Sequence, residues 1–452
     1  MLLGSPIDPN KYKITASQFS KETVYMRVQY WLYSTSLEVR TAKKNPRDEI
    51  NIKSLIKIVA LYTLAILSFF YTYFFENGSE EVNPTKHYGI NECPLVLGKS
   101  YRYPVFKTCL NYSRYDVGEF ILRGPFCHYL KKVQDKYMVD LSEMSNYNVK
   151  PNMHQLGCIV TFEDKNGKLS IVSTGTHDED ELVRKILICS MNTHSSIVRH
   201  TTFLHFVLSE DIAINTRTHL KHNTKLFKIL WPHVYGVIYT NKTTSAPILS
   251  MKGDYENIFS YGIDELSRLM TNSYETQLID DYDPECLLAN LPSWSHNYPE
   301  IMNRLCIYAA IKKYVTEHIF EKDLEEYRKW FSSLLIVKSS KLEYSLNNLE
   351  RLCSVFIYNV MIEHEIIGAG MWDFQTWCNH IYPHITLDRE NVSKDVHQTI
   401  YRYIHTLAAK RHKLMGENTN LKKYIIDYTK DIEKNDKILQ ILASDIYTSV
   451  SA

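Results

Sequence analysis

The sequence predicts a mainly α-helical protein carrying one small β-hairpin, and three observations point there. Apolar residues recur at helical spacing over Asp180–Ser209 and over about 219–233, 299–337, 346–371, 393–415 and 420–441. Only 15 Gly and 14 Pro occur among 452 residues, too few for a loop-rich β sandwich. The clearest alternating pattern lies in 153–175, where Lys165-Asn166-Gly167 supplies the turn between two strands.

Taken in order, residues 1–50 form a basic and aromatic N-terminal arm, for which one short helix is expected. Residues 51–78 hold the most apolar stretch, Ile58–Phe75, which runs 18 residues without a charge. That is the short limit for crossing a bilayer, which takes about 20 residues. Arg40, Lys43, Lys44, Arg47, Lys53 and Lys57 precede it, while Glu76, Glu80 and Glu81 follow. If it spans, the positive-inside rule puts the remainder outside the cytoplasm; otherwise it is an interfacial helix or the first core helix. The expected location is membrane-associated, or else cytoplasmic. Met1–Asn51 is polar and basic, so no signal peptide is expected. Residues 79–452 are the main helical domain, in which His177–Glu181 (HDEDE) reads as the acidic first turn of a helix. Asp280–Glu285 (DDYDPE) reads as a solvated loop.

Composition removes several function classes. With 52 Lys+Arg against 51 Asp+Glu, the net charge is +1, and no nucleic-acid partner is expected. The nine cysteines are scattered with no C-x-x-C, so they read as mostly buried thiols rather than a disulfide or zinc framework.

Histidine carries the chemistry. Among the 18 histidines, His200 and His205 form H-x4-H on a strongly helical stretch. In a regular α-helix five residues advance about 500°, leaving the two rings about 140° apart. They can share one metal only where the helix widens to i→i+5 bonding, a form that concentrates at functional sites. His364 begins HEIIG, in which Gly368 stands where a zincin would have its second histidine, so Glu365 has no metalloprotease rationale. The chain ends Ile446-Tyr-Thr-Ser-Val-Ser-Ala452, and a buried α-carboxylate there would need a positive partner or a metal.

These pieces, in this order and spacing, resemble the lipoxygenases: H-x4-H, a histidine followed by Gly368 about 160 residues on, and I-x-x-S-V-S-x at the C-terminus. The likeness covers about residues 50–452. Glu119–Val133 resembles the family's F-x-x-x-x-x-G-x-N-P segment, with Phe126-Cys127 in place of Asn-Pro. Tyr137-Met-Val-Asp-Leu resembles F-V-L-D-Y, and Lys225–His233 resembles H-P-I-x-K-L-L-x-P-H, ending 28 residues after His205. Thr240-Asn241 falls at the family's I-N, which makes Asn241 internal and discounts its sequon.

The resemblance implies a lipoxygenase-like helical catalytic domain in the minimal form, without an N-terminal β-barrel. It implies non-haem iron, or manganese as in some members, held by His200, His205, His364 and the Ala452 carboxylate. It implies insertion of O2 into polyunsaturated fatty acids or membrane lipids to give hydroperoxides, with residues 54–75 supplying access to the bilayer. Phe203, Leu204, Phe206, Ile367 and Trp372 are the expected channel walls. Thr244 stands where Ala or Gly correlates with the face of oxygen attack. The sequence also departs from the pattern. Gly368 cannot coordinate through a side chain, Ser196 and Met371 replace two glutamines behind the ligands, and Ser195 replaces a histidine. Those departures keep two other readings beside the oxygenase: a catalytically lapsed lipid-binding membrane protein, and an enzyme that converts lipid hydroperoxides.

Overall fold

The structure is a computed structural model. It describes residues 24–30, 33–41, 63, 117–123, 126–172, 177–239, 241, 249, 253–319, 325–364, 367, 384–385, 387 and 419–430. Among the described residues of the N-terminal arm the backbone forms an antiparallel hairpin, β1 (Val24–Tyr30) against β2 (Tyr33–Thr41), and no helix. The reason lies in the order of residue types. Val24, Met26, Val28 and Tyr30 alternate with Tyr25, Arg27 and Gln29, a period of two rather than 3.6. Among the described residues no helix is long and apolar enough to cross a membrane, and of Ile58–Phe75 only Thr63 is described.

Helix α1 (Val117–Arg123) leads into a four-stranded antiparallel sheet in the order β3 (Lys131–Val133), β4 (Lys136–Asp140), β5 (Ile159–Asp164) and β6 (Leu169–Ile171). The expected hairpin is β5–β6, with Asn166 and Gly167 at positive φ in its turn. Strands β3 and β4 extend it through a second turn, in which Gln134 takes the left-handed conformation. Gly118 lets α1 lie directly on β6, because a Cβ there would collide with the Leu169 carbonyl oxygen.

From residue 177 the described residues are mostly helical. Helix α2 (His177–His194) begins at the predicted acidic turn and continues into a π-helical segment, Ser195–Glu210, and then α3 (Asp211–His219). The helix therefore runs ten residues beyond the expected end at Ser209. Helix α4 (Lys225–Val234) is capped by Thr224, whose hydroxyl accepts from the Phe227 N–H. Next come α5 (Ile263–Tyr274), α6 (Pro299–His318), α7 (Glu325–Ser333), α8 (Leu346–Tyr358), a π turn at Asn359–Glu363, and α9 (Thr419–Thr429). The expected continuous helix over 299–337 is thus divided. The expected solvated loop at 280–285 is partly structural: buried Asp283 caps the helix Pro284–Leu288, and with Asp280 it binds Arg351.

One core joins these elements, with Trp231, Trp330, Tyr327 and Phe227 among its fully buried side chains. Every residue of Ser195–Glu210 except His200 is buried. The π segment is therefore an internal strut wrapped by the other helices. The six described cysteines are free thiols; Cys127, Cys189 and Cys353 are buried, whereas Cys286 is exposed.

Candidate metal centre

The π segment supplies the wide turn that H-x4-H requires. It extends over 16 residues, and three of its hydroxyl side chains follow the same five-residue step. Thr201, Thr202 and Ser209 donate to the carbonyls of Ser196, Ile197 and Leu204. His200 and His205 then project to one side, where His364 meets them from the end of the second π turn. The His364 N–H itself bonds the Asn359 carbonyl, again five residues back.

The three imidazoles converge through Nε2. His200 and His364 are 3.0 Å apart at these atoms, His364 and His205 3.3 Å, and His205 and His200 3.4 Å. A cation bonded to each nitrogen at about 2.1 Å, as first-row ions are, would see them at about 90–110° to one another. Those angles fit a face of an octahedral or tetrahedral site with further positions open. His200, His205 and His364 form a metal-capable group among the described residues, and their donor atoms are buried.

Electrostatics favour neutral, ligating imidazoles. Burial, then His364, pushes His205 down to about 3, against the opposing hydrogen bond that its ring donates to Asn241. Burial, then His205 and His364, holds His200 well below the usual histidine range. No proton has to leave these two rings at neutral pH before a metal binds.

Asn241 fixes which nitrogen of His205 carries the proton. Its amide nitrogen donates to the His205 carbonyl at 2.9 Å and to the Glu210 carboxylate at 3.0 Å. The amide oxygen is thereby turned toward His205 Nδ1, at 2.8 Å, where it can only accept. Nδ1 holds the proton and the Nε2 lone pair faces the other two rings. Such outer partners orient a ligand and raise its basicity. Nδ1 of His200, by contrast, is buried with no hydrogen-bond partner among the described residues.

The remaining predicted site residues divide in two. Ser196 is buried in the π segment before His200, its hydroxyl without a partner among the described residues, and Leu204, Phe206 and Ile367 are buried. Phe203 stacks on Tyr282, whose ring also lies 4.3 Å from the Arg199 guanidinium carbon. Thr244, Gly368, Met371, Trp372 and Ala452 lie outside the described residues. Sequence reasoning placed Asn241 inside the protein but did not assign it to His205. It missed Glu210 altogether, although an acidic residue in so apolar a run is itself a signal of a buried partner.

No family model matches this sequence, and neither does any curated protein. Solved structures do match in three dimensions. A coral 8R-lipoxygenase aligns with TM-score 0.67 and 14% identity, over 94% of this chain and 79% of its own. A LOX variant crystallised anaerobically with arachidonate gives TM-score 0.70 at 12% identity, over 94% and 79%. The manganese lipoxygenase of Gaeumannomyces graminis gives TM-score 0.62 at 10% identity, over 88% and 90%. The chain therefore has the lipoxygenase fold, a large helical domain with a small antiparallel sheet. Within it, the histidines that the sequence pattern picked out form one buried group.

Proposed function

We propose that this protein is a lipoxygenase-type dioxygenase, inserting O2 into polyunsaturated fatty acids or lipids to give hydroperoxides. The observation that carries the reading is the convergence of His200, His205 and His364 through Nε2 on two π-helical turns within this fold. The ligand set is proposed to be these histidines with the Ala452 carboxylate, and the metal to be iron or manganese. Either ion, when bound, supplies the one-electron chemistry by which a doubly allylic hydrogen is removed before O2 adds.

The chain's own contribution is positional. Asn241 keeps Nε2 of His205 free to ligate by holding the Nδ1 proton. The buried π segment excludes water around the rings and fixes their spacing before a metal arrives. The apolar side chains Leu204, Phe206 and Ile367 are the walls proposed to receive an acyl chain, and Ile58–Phe75 is proposed to bring the protein to a membrane. Ser196 leaves a lone hydroxyl where an amide would reach further, so turnover is expected to be lower than a glutamine there would allow.

Metal-loaded protein should produce a conjugated diene, absorbing in the near ultraviolet, from common polyunsaturated acids, and His364→Ala should not. Full metal occupancy with no diene from any such acid would replace this reading with the lapsed lipid-binding one. Consumption of a lipid hydroperoxide without O2 uptake would replace it with the hydroperoxide-converting one.

A further inference from the structure

Behind His364 stands a buried charged network that the metal site itself does not use. Glu363 is the last residue of the π turn and immediately precedes His364. One of its carboxylate oxygens accepts from the Tyr358 hydroxyl at 2.9 Å and lies 3.7 Å from Arg304 Nη1. The other oxygen is buried without a hydrogen-bond partner among the described residues. Arg304 comes from α6, and the same Nη1 reaches the sulfur of Cys127 at 2.6 Å. Arg304 and Glu363 are only 4% and 5% exposed, and Cys127 and Tyr358 are each 1% exposed. Burial pushes the Cys127 thiol up despite Arg304, so the sulfur is a neutral acceptor beside the Arg304–Glu363 pair.

Desolvating both charges is costly, and such a pair frequently adds little to stability over well-packed apolar residues. Its retention needs another reason, and its position supplies one. Tyr358 to Glu363 spans five residues, the same step as the backbone bond from the His364 N–H to the Asn359 carbonyl. The side-chain bond therefore braces the wide turn in parallel with the backbone. Arg304 then ties that turn to α6 and, through Cys127, to the turn at Cys127–Tyr129. If the turn tightened to α geometry, His364 would swing around the helix axis by tens of degrees and leave the other two rings.

We propose that Arg304 is a positioning residue for His364, acting through Glu363 with Tyr358 and Cys127 as its braces. The inference rests on the reading of the histidine group as a metal centre. Removing one charge of a buried pair is usually more destabilising than removing both, so the informative variant is Arg304→Met with Glu363→Leu. Mn2+ is the ion to titrate, followed by electron paramagnetic resonance, alongside the melting temperature of the metal-free protein. The double variant should melt close to the wild type yet bind Mn2+ about 10–100-fold more weakly, the usual cost of losing an outer partner of a ligand. Its Mn2+ spectrum should change, because the angle at His364 relaxes. Arg304→Lys, which keeps the charge, should recover most of the affinity. If the double variant does not fold, Tyr358→Phe removes one hydroxyl and carries the same test, with a smaller loss of affinity. Wild-type affinity and spectrum in a folded double variant, or in Tyr358→Phe, would overturn the proposal while leaving the metal centre intact. A wild-type protein that binds no Mn2+ would overturn the metal reading, and this inference with it.

Discussion

His205 and Asn241 are joined by a 2.8 Å hydrogen bond whose direction is fixed from both ends. On one side the Asn241 amide nitrogen is committed to the Glu210 carboxylate and the His205 carbonyl. On the other, His205 has a single ring proton to give. The bond thus selects one tautomer of a ligand that sequence spacing alone could only place on a helix.

Asn241→Leu, which keeps the branched skeleton without its polar atoms, should weaken Mn2+ or Fe2+ binding by about 10–100-fold, because the ring loses its orienting partner. Asn241→Asp keeps an acceptor for His205 but sets a second carboxylate against Glu210, so it should lower the melting temperature more than it lowers metal affinity. Metal titration and thermal denaturation of both variants separate the two effects. Equal affinity in Asn241→Leu and wild type would remove Asn241 from the site.

Acid sensitivity should trace in part to His128. Its ring is buried with neither nitrogen hydrogen-bonded among the described residues. Burial, then Arg199, Arg304 and His194, holds its pKa well below the usual value. The unfolded chain takes up a proton near pH 6.5 that the folded chain refuses, so stability falls as pH drops below that point and is unaffected above it. The slope from this residue is at most about 1.4 kcal/mol per pH unit. Denaturant midpoints at pH 7 and pH 5 should therefore differ less in His128→Phe than in wild type. An equal acid loss in the two would assign the effect to other groups.

Gly118→Ala should be disproportionately harmful for so small a change. The added methyl would meet the Leu169 backbone, which cannot rotate away. A loss of about 1–3 kcal/mol, typical of forced overpacking, is expected as a lower melting temperature, with the helical circular dichroism signal kept. A neutral result would mean that α1 does not seat on β6 in this way.

Membrane association is expected to depend on the apolar stretch. In vesicle flotation the full chain should rise with phosphatidylcholine vesicles, and Leu64→Asp with Leu67→Asp should leave it at the bottom of the gradient. Equal flotation of both would remove Ile58–Phe75 as the anchor.

Much of the site was legible because ligands leave local traces. H-x4-H at His200 and His205 is incompatible with a shared metal on an α-helix, so a shared metal there required the π geometry that Ser195–Glu210 adopts. The β5–β6 hairpin was legible through its turn at Asn166-Gly167. The pairing of Arg304 with Glu363 was not, because it joins residues 59 apart across two helices and neither belongs to a motif. Asn241 and Glu210 likewise acquire meaning only when an approach from a separate helical turn brings the amide onto the π segment. The β1–β2 hairpin is a different case. Its alternation was present, but it is short and interrupted by a register shift between Arg27 and Gln29, which obscured the period.

The central claim is that three imidazoles hold one metal ion, and metal content after anaerobic loading with Fe2+ and desalting measures it directly. About one iron per chain is expected in the wild type and less than a tenth of that in His364→Ala, with the variant still folded. A wild-type protein that retains no iron, or a folded His364→Ala that retains as much as the wild type, would contradict it.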